Sequence, residues 1–196
     1  MKKRAPDIRK DFAFNGMVLK NFVNIDDREK RAVRAWRNSE SVRKWMYSSH
    51  AITPREHERF IDGLGKDGRN FYWLARLEEG EYLGVISLNR MDAANGNAYL
   101  GMYANPSCKA RGAGRVLMEC LKRLAFDEAG LHTLKLEVIE SNERAIGFYK
   151  RSGFRKEGRL REFVLKDNRR MDVIVMGRRG LGGTREMAGN GGRHGF

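Results

Sequence analysis

The chain has 196 residues, 41% of them apolar, which suits one domain of ordinary size with a single core. No apolar run is long enough to cross a bilayer and no signal-peptide pattern is present, so we expect a cytoplasmic protein with no membrane partner. The two cysteines, Cys108 and Cys120, form neither a disulfide framework nor a metal motif, and we expect no metal.

The net charge of +14 is concentrated at the two ends of the chain. Residues 1–10 carry +4 and residues 177–196 carry +3, which is half of the total. These segments predict a basic tail over residues 1–14 and a Gly-rich disordered tail over residues 180–196, with one domain at residues 15–179. The remaining excess suits anionic substrates. No zinc finger or aromatic RNA-binding signature is present, and we expect no nucleic-acid partner.

The first half of the chain predicts one strand, three helices and a run of strands. A strand over 17–25 precedes Asp26, a residue type that caps helices, and a break after that helix leads to a short helix ending near Tyr47. Residues 53–56 read Thr-Pro-Arg-Glu, a capping box with proline at the first helical position, and begin a third helix. Alternating apolar residues then predict strands over 71–77, 82–89 and 98–104.

The second half predicts helices and strands in alternation, followed by a hairpin. These elements are a long helix from the loop at 109–114 to about Ala129, a strand over 134–139, a short helix over 142–151, and hairpin strands over 154–165 and 171–176. Asp167 and Asn168 suit the tight turn of the hairpin because both residue types tolerate positive φ.

The loop Lys109-Ala110-Arg111-Gly112-Ala113-Gly114 has the composition of an anion-binding loop. Gly112 and Gly114 allow the backbone to approach a bulky anion, and the following helix points its free N–H groups and positive dipole end towards that anion. Lys109 and Arg111 can add charge beside a pyrophosphate. Two glycines before a helix are common, so a second motif is needed to specify the ligand.

That second motif, at residues 142–154, reads Asn-Glu-Arg-Ala-Ile-Gly-Phe-Tyr-Lys-Arg-Ser-Gly-Phe. The pair of motifs resembles the acetyl-coenzyme A site of GNAT-family N-acetyltransferases, although Lys109 stands where the family has Gln or Arg. The order of elements over residues 17–179 also resembles the GNAT order. The resemblance implies an α/β fold with a splayed mixed β-sheet flanked by helices, and acetyl-CoA bound where two strands diverge. The cofactor-binding residues that it implies are Met102, Tyr103, Lys109, Ala110, Arg111, Gly112, Ala113, Gly114, Asn142 and Tyr149.

Acetyl transfer to an amine needs one group that protonates the leaving thiolate and another that accepts the proton of the amine. The resemblance assigns the first role to Tyr149, for which the alternative is a tyrosine packed under the sheet. Glu137, a carboxylate within an apolar strand, is the candidate base. The alternatives are an ion pair of Glu137 with Lys135 or Arg144, and a water chain that replaces any single base. Asn142 binds the cofactor arm, caps its helix, or does both.

The N-terminal half contains motifs that bear on the acceptor. Trp36-Arg37-Asn38, Trp45-Met46-Tyr47 and the helical His57 resemble one branch of the GNAT family, the acetyltransferases of the pseudaminic acid pathway. That branch acetylates the 4-amino group of UDP-4-amino-4,6-dideoxy-N-acetyl-β-L-altrosamine for flagellin glycosylation. The resemblance implies a UDP-amino sugar as substrate, bound by Arg37, His57, Asn89, Arg90 and Tyr103. The alternatives are an Arg37 that binds only helix carbonyls and a His57 that is half-buried without a ligand.

Two other functions remain open. A ribosomal-protein or polyamine N-acetyltransferase would share the motif at 159–162, but a polyamine site needs acidic residues, whereas Arg37 and Arg90 favour an anion. The other is an RNA-associated binding module with a GNAT shell and no turnover, against which the glycine loop, Asn142 and Tyr149 argue. A homodimer is expected from the habit of the family.

Overall fold

One mixed sheet of eight strands organises residues 8–180, the part of the chain that this computed structural model describes. The strands are β1 (Phe12–Phe14), β2 (Met17–Asn21), β3 (Phe71–Leu77), β4 (Tyr82–Asp92), β5 (Asn97–Ala104), β6 (Thr133–Ile139), β7 (Arg155–Lys166) and β8 (Arg169–Arg179). The helices are α1 (Asp27–Asn38), α2 (Glu40–Arg43), α3 (Pro54–Leu64), α4 (Ala113–Arg123) and α5 (Glu143–Arg151), with a 3₁₀ turn at Phe22–Asn24 and a π-helical turn at Leu124–Glu128. None of the helices between residues 8 and 180 has the length and apolarity to span a membrane.

The sheet changes direction at a single pair of strands. Its order is β1-β2-β3-β4-β5-β6-β8-β7, and every neighbouring pair is antiparallel except β5 and β6. The parallel pairing joins only residues 97–99 to residues 133–135. Beyond Tyr99, β5 and β6 no longer pair with each other, so the sheet splays open at this point. The predicted α/β fold with a splayed mixed sheet is confirmed.

Separate apolar clusters cover the two faces of the sheet. Trp73 and Ile86 belong to a large cluster that includes buried residues of α4, whereas Leu74 and Val85 belong to a smaller one with residues of α1 and α3. Because successive side chains of a strand point to opposite faces, α4 lies on one face and α1 with α3 on the other. The splayed strands therefore lie between two helical layers.

Short-range signals in the sequence form the structures they predict. Asp26 and Glu29 make both bonds of a capping box at the start of α1, and Thr53 with Glu56 does the same for α3. Asp167 and Asn168 adopt positive φ values of 47° and 59° in the turn between β7 and β8. Each of these three features involves residues a few positions apart, which is why the sequence indicates them directly.

The folded domain starts earlier than predicted. Ile8 is 1% exposed, and Phe12–Phe14 pairs with β2 as an additional edge strand. The prediction of a tail over residues 1–14 is therefore wrong for residues 8–14, where Ile8 and Phe12 belong to the large cluster and Phe14 packs against it. The first seven residues and the predicted Gly-rich tail from residue 181 onward lie outside the described residues.

The predicted strand over 17–25 is also shorter than expected. It ends at Asn21, whose side chain accepts a hydrogen bond from the N–H of Val23 at 3.1 Å and turns the chain into the 3₁₀ segment. Strand β4, in contrast, continues to Asp92 past an irregularity in its pairing with β5. Arg90 lies within this irregularity and has a positive φ of 51°.

Ile8→Ala tests whether the N-terminal segment belongs to the fold. We expect the free energy of unfolding to fall by about 2–5 kcal/mol, because a fully buried aliphatic side chain is replaced by a cavity. Val23→Ala is the matched control, since Val23 is 39% exposed and its truncation should cost less than about 0.5 kcal/mol. Urea denaturation at fixed temperature measures both values, and equal changes in the two variants would show that residues 8–14 add no stability.

Candidate active site

A cavity of about 770 Å³ lies where β5 and β6 diverge. Its walls come from β5, from β6, from α5 with its N-terminal cap, and from the segment 41–47. The predicted site residues that line it are Arg37, Asn89, Met102, Tyr103, Glu137, Asn142 and Tyr149. The structure thus brings together side chains from both halves of the sequence.

Tyr149 lies on α5 with its ring against Phe148 and Phe154. Burial raises the pKa of its hydroxyl to about 12, and no residue described in the structure forms a hydrogen bond with it. A phenol of this kind stays protonated throughout the neutral range and has no internal acceptor for its proton. This environment suits a proton donor, in addition to the packing that the alternative interpretation expected.

Asn142 is the N-cap of α5. Its Oδ1 accepts a hydrogen bond from the N–H of Ala145 at 3.2 Å, so the capping role is present. Because the same residue lines the cavity, its amide nitrogen remains available to a ligand there. Capping and ligand binding are compatible at this position.

Glu137 pairs with residues other than those considered from the sequence. Its Oε1 lies 2.7 Å from Nη2 of Arg90, and its Oε2 accepts a hydrogen bond of 2.8 Å from the hydroxyl of Tyr47. The alternative of a pair with Lys135 or Arg144 is wrong, and Lys135 instead bonds to Glu157 at 3.0 Å. As a base, Glu137 would accept a proton while held by these two donors.

Arg90 and Tyr47 complete a polar bridge across the splayed strands. The guanidinium of Arg90 stacks on the ring of Tyr99, with its carbon 3.6 Å from the ring centre. Arg90 itself is not part of the cavity wall among the described residues, but it reaches the cavity through Glu137. Tyr47 belongs to the Trp45-Met46-Tyr47 motif, but nothing in that motif indicates a bond to Glu137. Burial and this bond raise the pKa of the Tyr47 hydroxyl.

Arg37 presents a cation without a counter-ion to the cavity. One guanidinium nitrogen, Nη1, is buried without a partner, and Nη2 makes one long contact of 3.4 Å with the hydroxyl of Ser48. Burial lowers the pKa of Arg37, and no carboxylate among residues 8–180 pairs with it. The structure shows no bond from Arg37 to a helix carbonyl, which removes that alternative. A half-buried guanidinium with unused donors suits an anionic ligand.

Two tyrosines and an asparagine extend this wall. Burial raises the pKa of Tyr72 to about 12 and also raises that of Tyr103, so both hydroxyls are neutral donors beside Arg37. Asn89 donates from Nδ2 to Ser87 Oγ at 2.9 Å, and its buried Oδ1 has no partner. Tyr72 and Ser87 were missed in the sequence because they alternate within a strand like any other sheet residues.

His57 does not join the other predicted acceptor residues. It is buried on α3 and is not part of the cavity wall among the described residues. Burial, followed by the charges of Arg34 and Lys30, lowers its pKa. This position agrees with the alternative of a buried histidine without a ligand.

The glycine loop leaves most of its backbone donors unused. Gly112 adopts a φ of +77° as the N-cap of α4 and provides no side-chain cap. Within the described residues, the N–H groups of residues 111–114 have no hydrogen-bond partner, whereas the N–H of Lys109 donates to Glu81 Oε1 at 2.9 Å. The amide of Lys109 is therefore already bonded within the protein, and the cradle over 109–114 stays a prediction. The loop is not in the cavity wall, but a Cβ on Gly114 would lie 3.8 Å from the ring of Phe148 on α5.

Together these features fit one anion at the helix terminus and another beside Arg37. Unpaired N–H groups at the start of α4 are suited to phosphate oxygens, and the unpaired edge of β5 beyond Tyr99 offers backbone donors to a carbonyl oxygen. The protonated hydroxyl of Tyr149 belongs to the same cavity wall as this edge. Residues 8–180 contain no group of three or more His, Cys, Asp or Glu side chains that could hold a metal ion.

Comparison with known proteins also indicates a site for acetyl-CoA. The family model described as "Acetyltransferase (GNAT) family" matches residues 31–154. The acetyltransferase PseH of Campylobacter jejuni serotype O:2 is 33% identical over 136 residues, which cover 69% of this chain and 83% of PseH. The crystal structure of Campylobacter jejuni PseH in complex with acetyl coenzyme A has a TM-score of 0.63 and 25% identity, covering 83% of this chain and 98% of that one. The structure of spermidine N-acetyltransferase from Vibrio cholerae with CoA and spermine has a TM-score of 0.76 at 19% identity. The match covers 84% of this chain and 95% of that one.

The lowered pKa of His57 makes a prediction about stability. Below the ordinary histidine pKa of 6.5 the unfolded chain binds this proton more readily than the folded chain, so His57 lowers stability as the pH falls through that value and has no such effect above it. We expect the free energy of unfolding to drop more steeply between about pH 7.5 and 5.5 in the wild type than in His57→Gln. The difference in slope is at most about 1.4 kcal/mol per pH unit for one proton.

Urea denaturation at several pH values measures these slopes. His132→Gln is the matched control, because His132 is exposed and its replacement should leave the slope of the wild type unchanged. Parallel pH profiles for the wild type and His57→Gln would contradict a buried, neutral His57.

Proposed function

The chain belongs to the GNAT family and is an acetyl-CoA-dependent N-acetyltransferase, and we propose that its acceptor is a UDP-linked amino-dideoxy sugar. The specific substrate proposed is UDP-4-amino-4,6-dideoxy-N-acetyl-β-L-altrosamine, acetylated on its 4-amino group by direct transfer in a ternary complex. The reaction would belong to pseudaminic acid biosynthesis for flagellin glycosylation, in the cytoplasm. The motifs around Arg37 and Tyr47 and the 33% identity to PseH support this branch of the family.

One observation carries the proposal: the unpaired guanidinium of Arg37 shares a cavity with the protonated Tyr149. A diphosphate can accept two hydrogen bonds from Arg37, which neutralises a charge that residues 8–180 leave without a counter-ion. The hydroxyls of Tyr72 and Tyr103 and the Oδ1 of Asn89 then offer donors and an acceptor to the sugar or nucleotide. An amine held in this position would lie in the cavity that Tyr149 also lines.

Acetyl-CoA supplies the activated acetyl group, and this chain supplies its orientation. The N–H groups of residues 111–114 would bind the pyrophosphate, and the backbone of Met102 and Tyr103 would hold the carbonyl oxygen. Asn142 would bind the arm through its amide nitrogen, and Tyr149 would donate a proton to the departing thiolate. Glu137 is the proposed base, with a water chain as the alternative. Alignment of two reactants in this way is worth about 7–11 kcal/mol in general.

The other acceptors considered fit the cavity less well. Glu137 is the only acidic residue among the described residues of the wall, and Arg90 already pairs with it. A polyamine would therefore meet the cation of Arg37 and no free carboxylate. The spermidine acetyltransferase is only 19% identical, so it supports the fold and not the substrate. The RNA-binding alternative predicts a strongly salt-dependent affinity for RNA. The homodimer expected from the family stays a prediction.

An acceptor panel tests the proposal. The purified protein is mixed with acetyl-CoA and a UDP-4-amino sugar, spermidine or a ribosomal N-terminal peptide, and the release of coenzyme A is followed. We expect turnover with the UDP-4-amino sugar, and with Arg37→Ala a KM for that sugar raised about 10- to 100-fold, because charged hydrogen bonds contribute about 1.5–3 kcal/mol. Arg31→Ala, an exposed arginine on the same helix, is the matched control. Turnover of spermidine or of the peptide, without turnover of the UDP-4-amino sugar, would refute the sugar assignment.

Tyr149→Phe separates the acid from the packing. The change keeps the ring contacts and removes the hydroxyl, so we expect kcat to fall about 10²-fold or more with the dissociation constant of acetyl-CoA changed less than about twofold. Steady-state kinetics and calorimetry measure the two quantities. Tyr47→Phe serves as the comparison, because it removes a hydroxyl that donates to Glu137 and has no proposed contact with the thiolate. An unchanged kcat in Tyr149→Phe would remove this residue as the acid.

A further inference from the structure

Lys166 is buried at a place where the sequence pattern would put it in solvent. It is 6% exposed near the end of β7, whereas Phe163 and Leu165 on the same strand are 54% and 58% exposed. The pairing of β7 with β8 is irregular between Leu160 and Val164, and Glu162 there has a positive φ of 50°. The strand therefore directs its cation inward and two large apolar side chains outward.

The ammonium of Lys166 bonds to backbone carbonyls and not to a carboxylate. Its Nζ donates to the carbonyl oxygens of Arg43 at 2.9 Å, Lys44 at 2.8 Å and Met46 at 3.0 Å. An ammonium has three donors, so these contacts use its full capacity. Burial lowers the pKa of Lys166, which is the cost of holding the charge in this position.

The three carbonyls belong to a segment that has little structure of its own. Helix α2 has four residues and no side-chain N-cap bond, and the chain leaves it at Arg43. Helices this short gain little stability from their own hydrogen bonds. Carbonyls at the end of a helix lack partners within that helix. Here Lys166 is a partner for them, although it lies on a strand 120 or more positions away in the sequence.

This segment forms one wall of the cavity. Trp45, Met46 and Tyr47 line it, and the hydroxyl of Tyr47 bonds to Glu137 across the opening. The segment is thus attached at two points, by Lys166 on the side of β7 and by Tyr47 on the side of β6. Arg37 contacts Ser48 at its far end.

We propose that Lys166 is a positioning residue for acetyl transfer, which holds residues 43–46 so that Trp45, Met46 and Tyr47 form the acceptor wall. The inference rests on the proposed function only where it assigns this wall to the acceptor. A compact ammonium can direct three donors at three converging carbonyls, whereas the planar fork of arginine cannot reproduce that arrangement. A side chain without donors would leave the carbonyls of Lys44 and Met46 without this partner, and that of Arg43 with only the N–H of Met46 at 3.0 Å.

The kinetic test compares Lys166→Met with the wild type. Methionine keeps most of the chain length and removes the donors, so we expect the acceptor KM to rise about tenfold or more while the KM of acetyl-CoA changes less than about twofold. Lys166→Arg should recover only part of the loss. Lys156→Met, an exposed lysine on the same strand, is the matched control and should behave as the wild type. An equal rise in both KM values would overturn the inference.

Trypsin gives a test that requires no substrate. The peptide bonds after Arg43 and Lys44 contain two of the carbonyls that Lys166 binds, and trypsin cleaves after these residue types. We expect cleavage at these two bonds, identified by mass spectrometry, to be about tenfold faster or more in Lys166→Met, with other sites unchanged. No acceleration would overturn the inference, as would faster cleavage at sites throughout the chain, which would indicate a general loss of stability.

The two tests also separate this inference from the proposed function. If the UDP-amino sugar is not an acceptor, the kinetic comparison uses the acceptor that the panel identifies, and the trypsin result stands by itself. If Lys166→Met does not fold, Lys166→Gln retains two amide donors and takes its place in both tests. Because Gln has two donors for three carbonyls and no charge, we expect smaller changes in the same direction, and wild-type cleavage with wild-type kinetics would contradict the need for an ammonium at this position.

Discussion

The short parallel pairing between β5 and β6 is the constraint on which the site depends. Three residues of each strand pair, and the strands then separate. Backbone donors and acceptors inside a protein need partners, so an edge opened in the middle of a sheet is stable only with water or a ligand beside it. The separation that forms the cavity therefore also favours a ligand that carries polar atoms along its length. Tyr149 and Asn142 line this opening, whereas the free N–H groups of residues 111–114 lie outside its wall, so a bound molecule would have to extend from the cavity to the loop to meet all of them.

Much of the fold could be predicted because its signals are local. Capping boxes at Asp26 and Thr53, the turn at Asp167 and the loop at Gly112 each depend on residues a few positions apart, and the structure contains all of them. The splayed sheet and the acetyl-CoA site followed from a resemblance that joins two such local motifs. These motifs can be recognised in the sequence because their hydrogen bonds join residues a few positions apart.

Contacts between distant residues could not be predicted in the same way. The bond between Tyr47 and Glu137 joins residues 90 positions apart, and that between Arg90 and Glu137 joins residues 47 positions apart. Nothing in the strand that contains Glu137 indicates which basic residue the sheet order brings beside it. Lys166 is the strongest case, because an irregularity in β7 reverses the usual rule that lysine faces water. The position of His57 away from the cavity has the same origin, since helix periodicity gives a face but not its neighbour.

The separate apolar clusters on the two faces of the sheet have a consequence for how such a protein can diversify. The cluster under α4 supports the loop at 109–114, and the cluster with Val33 and Ile61 supports α1 and α3. Substitutions accumulated in the second cluster can tilt α1 and with it Arg37, while the first cluster remains intact. A lineage could in this way exchange one acceptor amine for another over generations and keep the thioester donor constant. The residues that hold the acceptor and those that hold the donor are supported by clusters on different faces of the sheet.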